Sequence, residues 1–452
     1  MSTNRRQFLT EAGAAAAFGA AARVFGRTPA EAAAATSTVV GTGDPLIDVP
    51  AVQSAADAGG VVQLRGTFDF GVNGLVELGR NGNDVALIGE EPTASGETDP
   101  VTKTRDRQWP TVIRNGGSTD LRPHRGPLYC DTEVRIAISD VHIEEPLSSG
   151  IYIGKASYAI VSNCLITNLL ATELMSDAHP GLLFAIGIRV DGRTGGIGDV
   201  VISDSVLNLN QDGAHNEGVR SGINILSTQD CSVEVTGTVI QNYAHLGILN
   251  YNAGFTRISN NRILTGAYYP EREVPDIGMA GAQGLGRGKG IAVDWYDRDL
   301  FDGRLGSSYV TGNAIQCAHP TGDGISLNNH RGNPIQEGSS HLISHNVISV
   351  EGCRSGIALS GFCRNGAFTH NSIAGTASYG IRVDALEHRA QDNVFQGNDI
   401  HALSAEIADA YLSKGADNNV LVGDGGDVVD EGDNNTIVGF TRKPPEVGAA
   451  HS

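Results

Sequence analysis

The sequence predicts an all-β solenoid of stacked parallel coils, on the strength of two columns of residues. Gly-Ile recurs at Gly150, Gly187, Gly222, Gly247, Gly290, Gly324, Gly356 and Gly380, at intervals of 37, 35, 25, 43, 34, 32 and 24 residues, and all but the one at Gly247 continue as Gly-Ile-x-apolar. A unit that returns every 20 to 50 residues or so, with insertions of variable length, marks a solenoid. A second strand of fixed pattern follows each stretch, as Val310-Thr311-Gly312-Asn313-Ala314-Ile315 follows Gly290-Ile291-Ala292-Val293.

The second strand opens on Val161, Ile202, Val235, Ile258, Val310, Ile343, Phe368 and Phe395. Five residues later stand Ile166, Leu207, Ile240, Ile263, Ile315, Ile348, Ile373 and Ile400. Between them runs one polar column: Cys164, Ser205, Thr238, Asn261, Asn313, Asn346, Asn371 and Asn398. Equivalent side chains of stacked coils lie about 4.8 Å apart, so Asn amides at this place can hydrogen-bond along the stack, and Ser, Thr and Cys fit the same slot. An antiparallel sandwich does not repeat in register in this way.

This pattern resembles the right-handed parallel β-helix, the fold of pectate lyases and many other carbohydrate-active proteins, over roughly residues 60 to 440. Handedness is implied by the resemblance; the periodicity itself shows stacked parallel coils.

The expected organisation is an export signal over residues 1–35, a single β-helix domain over 36–440 and a disordered tail over 441–452. Thr3-Asn4-Arg5-Arg6-Gln7-Phe8-Leu9 resembles the twin-arginine export pattern, an apolar Ala-rich stretch runs from Ala12 to Ala22, and Ala30-Glu31-Ala32 supplies a small-x-small cleavage site. No later run of 18 apolar residues exists to span a membrane. The expected location is therefore the periplasm or the extracellular space. Loss of Arg5, Arg6, Arg23 and Arg27 together with Glu11 and Glu31 moves the net charge from −19 to about −21. So acidic a surface argues against nucleic acid and anionic lipid as partners.

Within the domain, Asp48 to Ala58 reads as a short helix with Asp48 as N-cap, covering the apolar first coil. Val61 to Phe68 and Val85 to Gly89 read as opening strands, residues 90–128 as a long loop, and Ile136 to Ile143 as a return to the repeat. Asp417 to Gly423 and Asp433 to Gly439 are near copies 16 residues apart and read as the last, shortened coils. The acidic stretch 424–433 lacks the tandem nonapeptides of a calcium-binding repeat and reads as a solvated turn. The six cysteines read as buried thiols, with Cys317 and Cys353, in successive coils, as the pair placed to bridge.

The functional residues are sought where the solenoid points outward. Two residues after each Gly stand Tyr152, Arg189, Asn224, Leu249, Ala292, Ser326, Ala358 and Arg382; four after stand Gly154, Asp191, Leu226, Tyr251, Asp294, Asn328, Ser360 and Asp384. Beyond them the fifth coil carries Asp294-Trp295-Tyr296-Asp297-Arg298-Asp299, the sixth Asn328-Asn329-His330-Arg331, and the eighth Asp384, Glu387, His388 and Arg389. Aromatic faces beside carboxylates and guanidinium forks suit a sugar chain, whose C–H faces stack on rings while its hydroxyls and carboxylates meet polar groups. The Gly-rich insertion Thr265 to Gly288, with Tyr268 and Tyr269, is placed to act as a flap. An extracellular polysaccharide is the expected partner.

Three functions fit. In β-elimination from a uronate polymer, Lys289 or Tyr296 is the candidate base, Arg298, Arg331 and Arg382 hold carboxylates, and Asp294 with Asp323 is the candidate Ca2+ pair. In glycoside hydrolysis the carboxylates are Asp294, Asp297 and Asp323. The third is glycan binding without catalysis. Arg189, Tyr251, Trp295, His330 and His388 complete the candidate binding residues. The chain lacks the polygalacturonase, pectate lyase and alginate epimerase signatures, so no family catalytic set carries over to it.

Overall fold

A computed structural model describes residues 36–98, 105–118, 125–170, 172–174, 182–192, 195–210, 219–227, 231–243, 246–252, 254–265, 288–294, 306–329, 340–361, 363–385, 389–423 and 425–444. The export signal expected over 1–35 lies outside these residues. The chain forms two compact units, Met1–Gln241 and Asn242–Ser452, and each is built of parallel β-helix coils.

The coil that begins with Lys289–Asp294 has three strands rather than the two expected. The pattern read as one second strand breaks at its polar column: Ser308–Thr311 and Ala314–Cys317 are separate strands, with Gly312 in the left-handed region (φ 67°) and Asn313 at the corner. The same corner holds Asp140, Asn163, Asp204 and Gly237 in the N-terminal unit and Asn260, His345, His370 and Gly397 in the C-terminal unit, all at positive φ. Asn, Asp and Gly tolerate this conformation, and each turns the chain before the polar residue.

In the N-terminal unit the glycine strands stack with Tyr152 beside Arg189 and Arg189 beside Asn224. The middle strands stack as Leu87, Ile138, Val161, Ile202 and Val235, and the third strands as Ile113, Ile143, Ile166, Leu207 and Ile240. These side chains fill the interior without measurable exposure. Residues 90–128 are more than a loop: Thr93–Thr98 pairs antiparallel with Arg105–Gln108, and Val112–Arg114 is a coil strand.

Helix α1 covers this unit's first coil but spans Pro45–Ala58, with Asp44 as N-cap accepting from Leu46 N–H. Pro45 at the first helical position moves the start three residues upstream of the expected one. Asp48 is instead a buried tie, accepting from the N–H groups of Thr42, Gly43 and Asp69 and from the Thr42 hydroxyl.

In the C-terminal unit the Asn column forms the expected ladder. The amide of Asn261 donates to Asn313, Asn313 to Asn346, Asn346 to Asn371 and Asn371 to Asn398, at 2.9–3.0 Å. Each amide from Asn313 onward also donates to a backbone carbonyl. Asn393, Asn419 and Asn435 form a second ladder at another corner. It joins the two near-copy segments, whose strands Val420–Val422 and Thr436–Val438 pair in register. Where a tail was expected, Thr441–Lys443 adds a further strand beside Asp427–Asp430.

The glycine column has a steric cause. A Cβ on Gly247, Gly290, Gly324 or Gly356 would lie 2.3–2.4 Å from the Ile263, Ile315, Ile348 or Ile373 side chain and 2.5–2.9 Å from the next glycine's carbonyl oxygen. Closeness to both leaves room for hydrogen alone.

Candidate functional site

Along a glycine strand the Ile and the apolar residue two further on fill the interior, so the residue between them faces outward. In the C-terminal unit this outward column is Ala292, Ser326, Ala358, Arg382 and Tyr411 in register. The column two residues on is Asp294, Asn328, Ser360 and Asp384. The residue before each glycine makes a third: Lys289, then Asp323, Ser355 and Tyr379.

Asp323 is the electrostatic centre of this face. Its carboxylate is without solvent exposure and accepts Arg354 Nε at 3.2 Å, Arg354 Nη2 at 2.6 Å and the Ser355 hydroxyl at 2.5 Å. Burial pushes the Asp323 carboxyl up, but Arg354, Lys289 and Ser355 outweigh it and hold it below the usual carboxylate range. Lys289 is itself only 1% exposed. Arg354, by contrast, keeps 30% of its side chain exposed, and Asp384 also lies within its electrostatic reach. The result is a guanidinium fixed by a bidentate carboxylate, on a side chain that keeps partial exposure.

A second anchored arginine lies nearby. Arg382 pairs with Asp384 on the same strand, and its Nη1 is buried with no hydrogen-bond partner among the described residues. Tyr379 and Tyr411 lie ring to ring at 5.3 Å, and the Tyr411 hydroxyl bonds Glu431 at 3.3 Å. Burial first, then Glu431, raises the Tyr411 phenol, and burial raises Tyr379. Both tyrosines therefore remain neutral, and each is only 5% exposed, packed with Ala408 and Val429 in one apolar cluster.

The expected site residues divide accordingly. Lys289, Asp323 and Arg382 come together on this face. Tyr251 is buried in the same unit. Arg189 belongs to the N-terminal unit, where it pairs with buried Asp191 at 2.9 Å. Asp294 ends its strand, whereas Trp295, Tyr296, Asp297, Arg298, His330, Arg331 and His388, with most of the Thr265 to Gly288 insertion, lie outside the described residues.

Sequence reasoning missed Arg354, Tyr379 and Tyr411. Tyr379 had a signal, since it continues the column that begins with Lys289 and Asp323. Arg354 had none, because its role depends on one neighbour in one coil.

Asp323 does not suit Ca2+. Both carboxylate oxygens are occupied by Arg354 and Ser355, with Lys289 adding positive charge, so an incoming divalent cation would be repelled. Among the described residues no three His, Cys, Asp or Glu side chains gather as a metal site. All six cysteines are buried free thiols.

No protein-family model and no curated protein matches this sequence. Solved structures do. A double mutant of the tailspike protein of E. coli bacteriophage HK620 is 12% identical, with a TM-score of 0.53 over 89% of this chain and 73% of its own. A single mutant of that tailspike in complex with pentasaccharide gives 11% identity and a TM-score of 0.52 over 92% and 80%. PfbA, a surface adhesin of Streptococcus pneumoniae, gives 13% identity and a TM-score of 0.42 over 91% and 93%. The tailspike likeness is one of fold: this chain is a parallel β-helix protein.

Proposed function

We propose that this is an exported protein that binds an acidic polysaccharide on the outer face of its C-terminal glycine strands and cleaves it by β-elimination. The observation that carries this reading is Arg354, held by buried Asp323 and with 30% of its side chain exposed. Such a fork matches a uronate carboxylate without first having to be ordered. Arg382, anchored by Asp384, adds positive charge on the same face. The tailspike complexed with pentasaccharide is consistent with a glycan ligand for this fold.

In elimination, a cation on the uronate carboxylate stabilises the enolate that forms as a base removes the neighbouring proton. Arg354 supplies that charge. Lys289 is sealed beside Asp323, which makes Tyr296, two residues beyond the strand Lys289–Asp294, the proposed base. Asp323, held ionised, is a poor proton donor, so the hydrolytic alternative would rest on Asp294 and Asp297.

The test is incubation of the protein, without residues 1–35, with acidic and neutral polysaccharides while following both unsaturated-uronate absorbance and new reducing ends. Absorbance should rise with an acidic polymer and vanish with Tyr296→Phe. Reducing ends without absorbance would replace elimination by hydrolysis; no product from any acidic polymer would remove the catalytic reading.

A further inference from the structure

Cys317 and Cys353 come from successive coils of the C-terminal unit, and both are buried. The Cys353 thiol donates to the Cys317 carbonyl at 3.1 Å, and the Cys317 thiol donates to the Gly288 carbonyl. The backbone brings this about. Gly352 adopts a left-handed conformation (φ 63°) and is held by the Thr376 hydroxyl, which turns the chain so that Cys353 meets the coil before it. In register Cys317 stands beside Val350, and the turn at Gly352 carries the Cys353 sulfur back to within 3.1 Å of the Cys317 carbonyl oxygen.

We propose that Cys317 and Cys353 close an inter-coil disulfide when the folded chain meets a hydroperoxide, stapling the backbone that carries Arg354. The Cys353 thiolate attacks the terminal peroxide oxygen; the O–O bond breaks, leaving a sulfenic acid on Cys353 and, after protonation, water or an alcohol. Cys317 sulfur then attacks Cys353 sulfur, the S–O bond breaks, and hydroxide leaves as water with the Cys317 proton. Two thiols thereby give up two electrons to one peroxide. The small oxidant suits a buried pair that a bulky disulfide would reach only by unfolding the coil. Arg354 follows Cys353 directly and is otherwise tied to the previous coil by its N–H to the Gly322 carbonyl and its guanidinium to Asp323.

The experiment treats the reduced, folded full chain with hydrogen peroxide, alkylates the remaining thiols and maps the peptides by mass spectrometry. The six free thiols should fall to four with Cys317 joined to Cys353, and the melting temperature should rise by several degrees, because the bridge closes a 36-residue loop. Cys317→Ala should instead leave a sulfenic acid on Cys353, trapped by dimedone. A bridge between other cysteines, oxidation of Cys353 to a sulfinic acid without linkage, or six thiols surviving in the folded protein would overturn the proposal.

Discussion

Asp323→Ala lowers stability by about 3–5 kcal/mol, the usual cost of leaving a buried charge without its partner. The substitution removes the acceptor of two Arg354 hydrogen bonds and one from Ser355, and it takes a negative charge from beside Lys289, which is 1% exposed. Asp323→Asn keeps the shape and part of the bonding but not the charge, so its cost falls between alanine and wild type. Denaturant midpoints measured at constant slope give both values. A loss below about 1 kcal/mol for alanine would mean that Arg354 and Lys289 find other partners, and the rigid-fork argument would fail with it.

Gly324→Ala destabilises by about 3 kcal/mol through overpacking, the upper end of the usual cost. The added methyl would stand 2.3 Å from Ile348 Cγ2 and 2.7 Å from the Gly356 carbonyl oxygen. Ile348 can turn aside; the carbonyl belongs to the backbone ladder and cannot. Gly352→Ala is the comparison, since Gly352 has positive φ but nothing within 4 Å of its absent Cβ. It costs only the conformational penalty, about 1–2 kcal/mol. If thermal unfolding ranked Gly352→Ala as the more damaging, close coil approach would not be the reason for the Gly-Ile repeat.

That contrast explains how much of the fold could be read beforehand. The Gly and Asn columns were legible because each fills one steric or hydrogen-bonding slot that few residues satisfy, coil after coil. The corner one residue before the Asn column escaped notice because its demand is conformational. Asn, Asp, Gly and His all meet it, so Asn260, Gly312, His345 and His370 show no common identity. The helix boundary slipped for a local reason, with two acidic residues, Asp44 and Asp48, both able to cap.

The candidate site was legible only in part. Lys289, Asp323 and Arg382 were found because they stand in columns fixed by the repeat. Their burial was not foreseen, because column position gives the direction of a side chain and not what lies over it. Arg354 stands out only once its guanidinium is seen against Asp323, a contact between coils 31 residues apart in sequence.

The central claim is that anchored arginines recognise a sugar carboxylate, and the most direct measurement is binding of the protein to a uronate-containing polysaccharide and to its carboxyl-reduced form at equal ionic strength. The account predicts binding of the acidic form only, weakened about tenfold or more by Arg354→Lys, which keeps the charge beside Asp323 but loses the planar fork. Equal binding of the two forms, or an acidic-form affinity unchanged by Arg354→Lys, would contradict it.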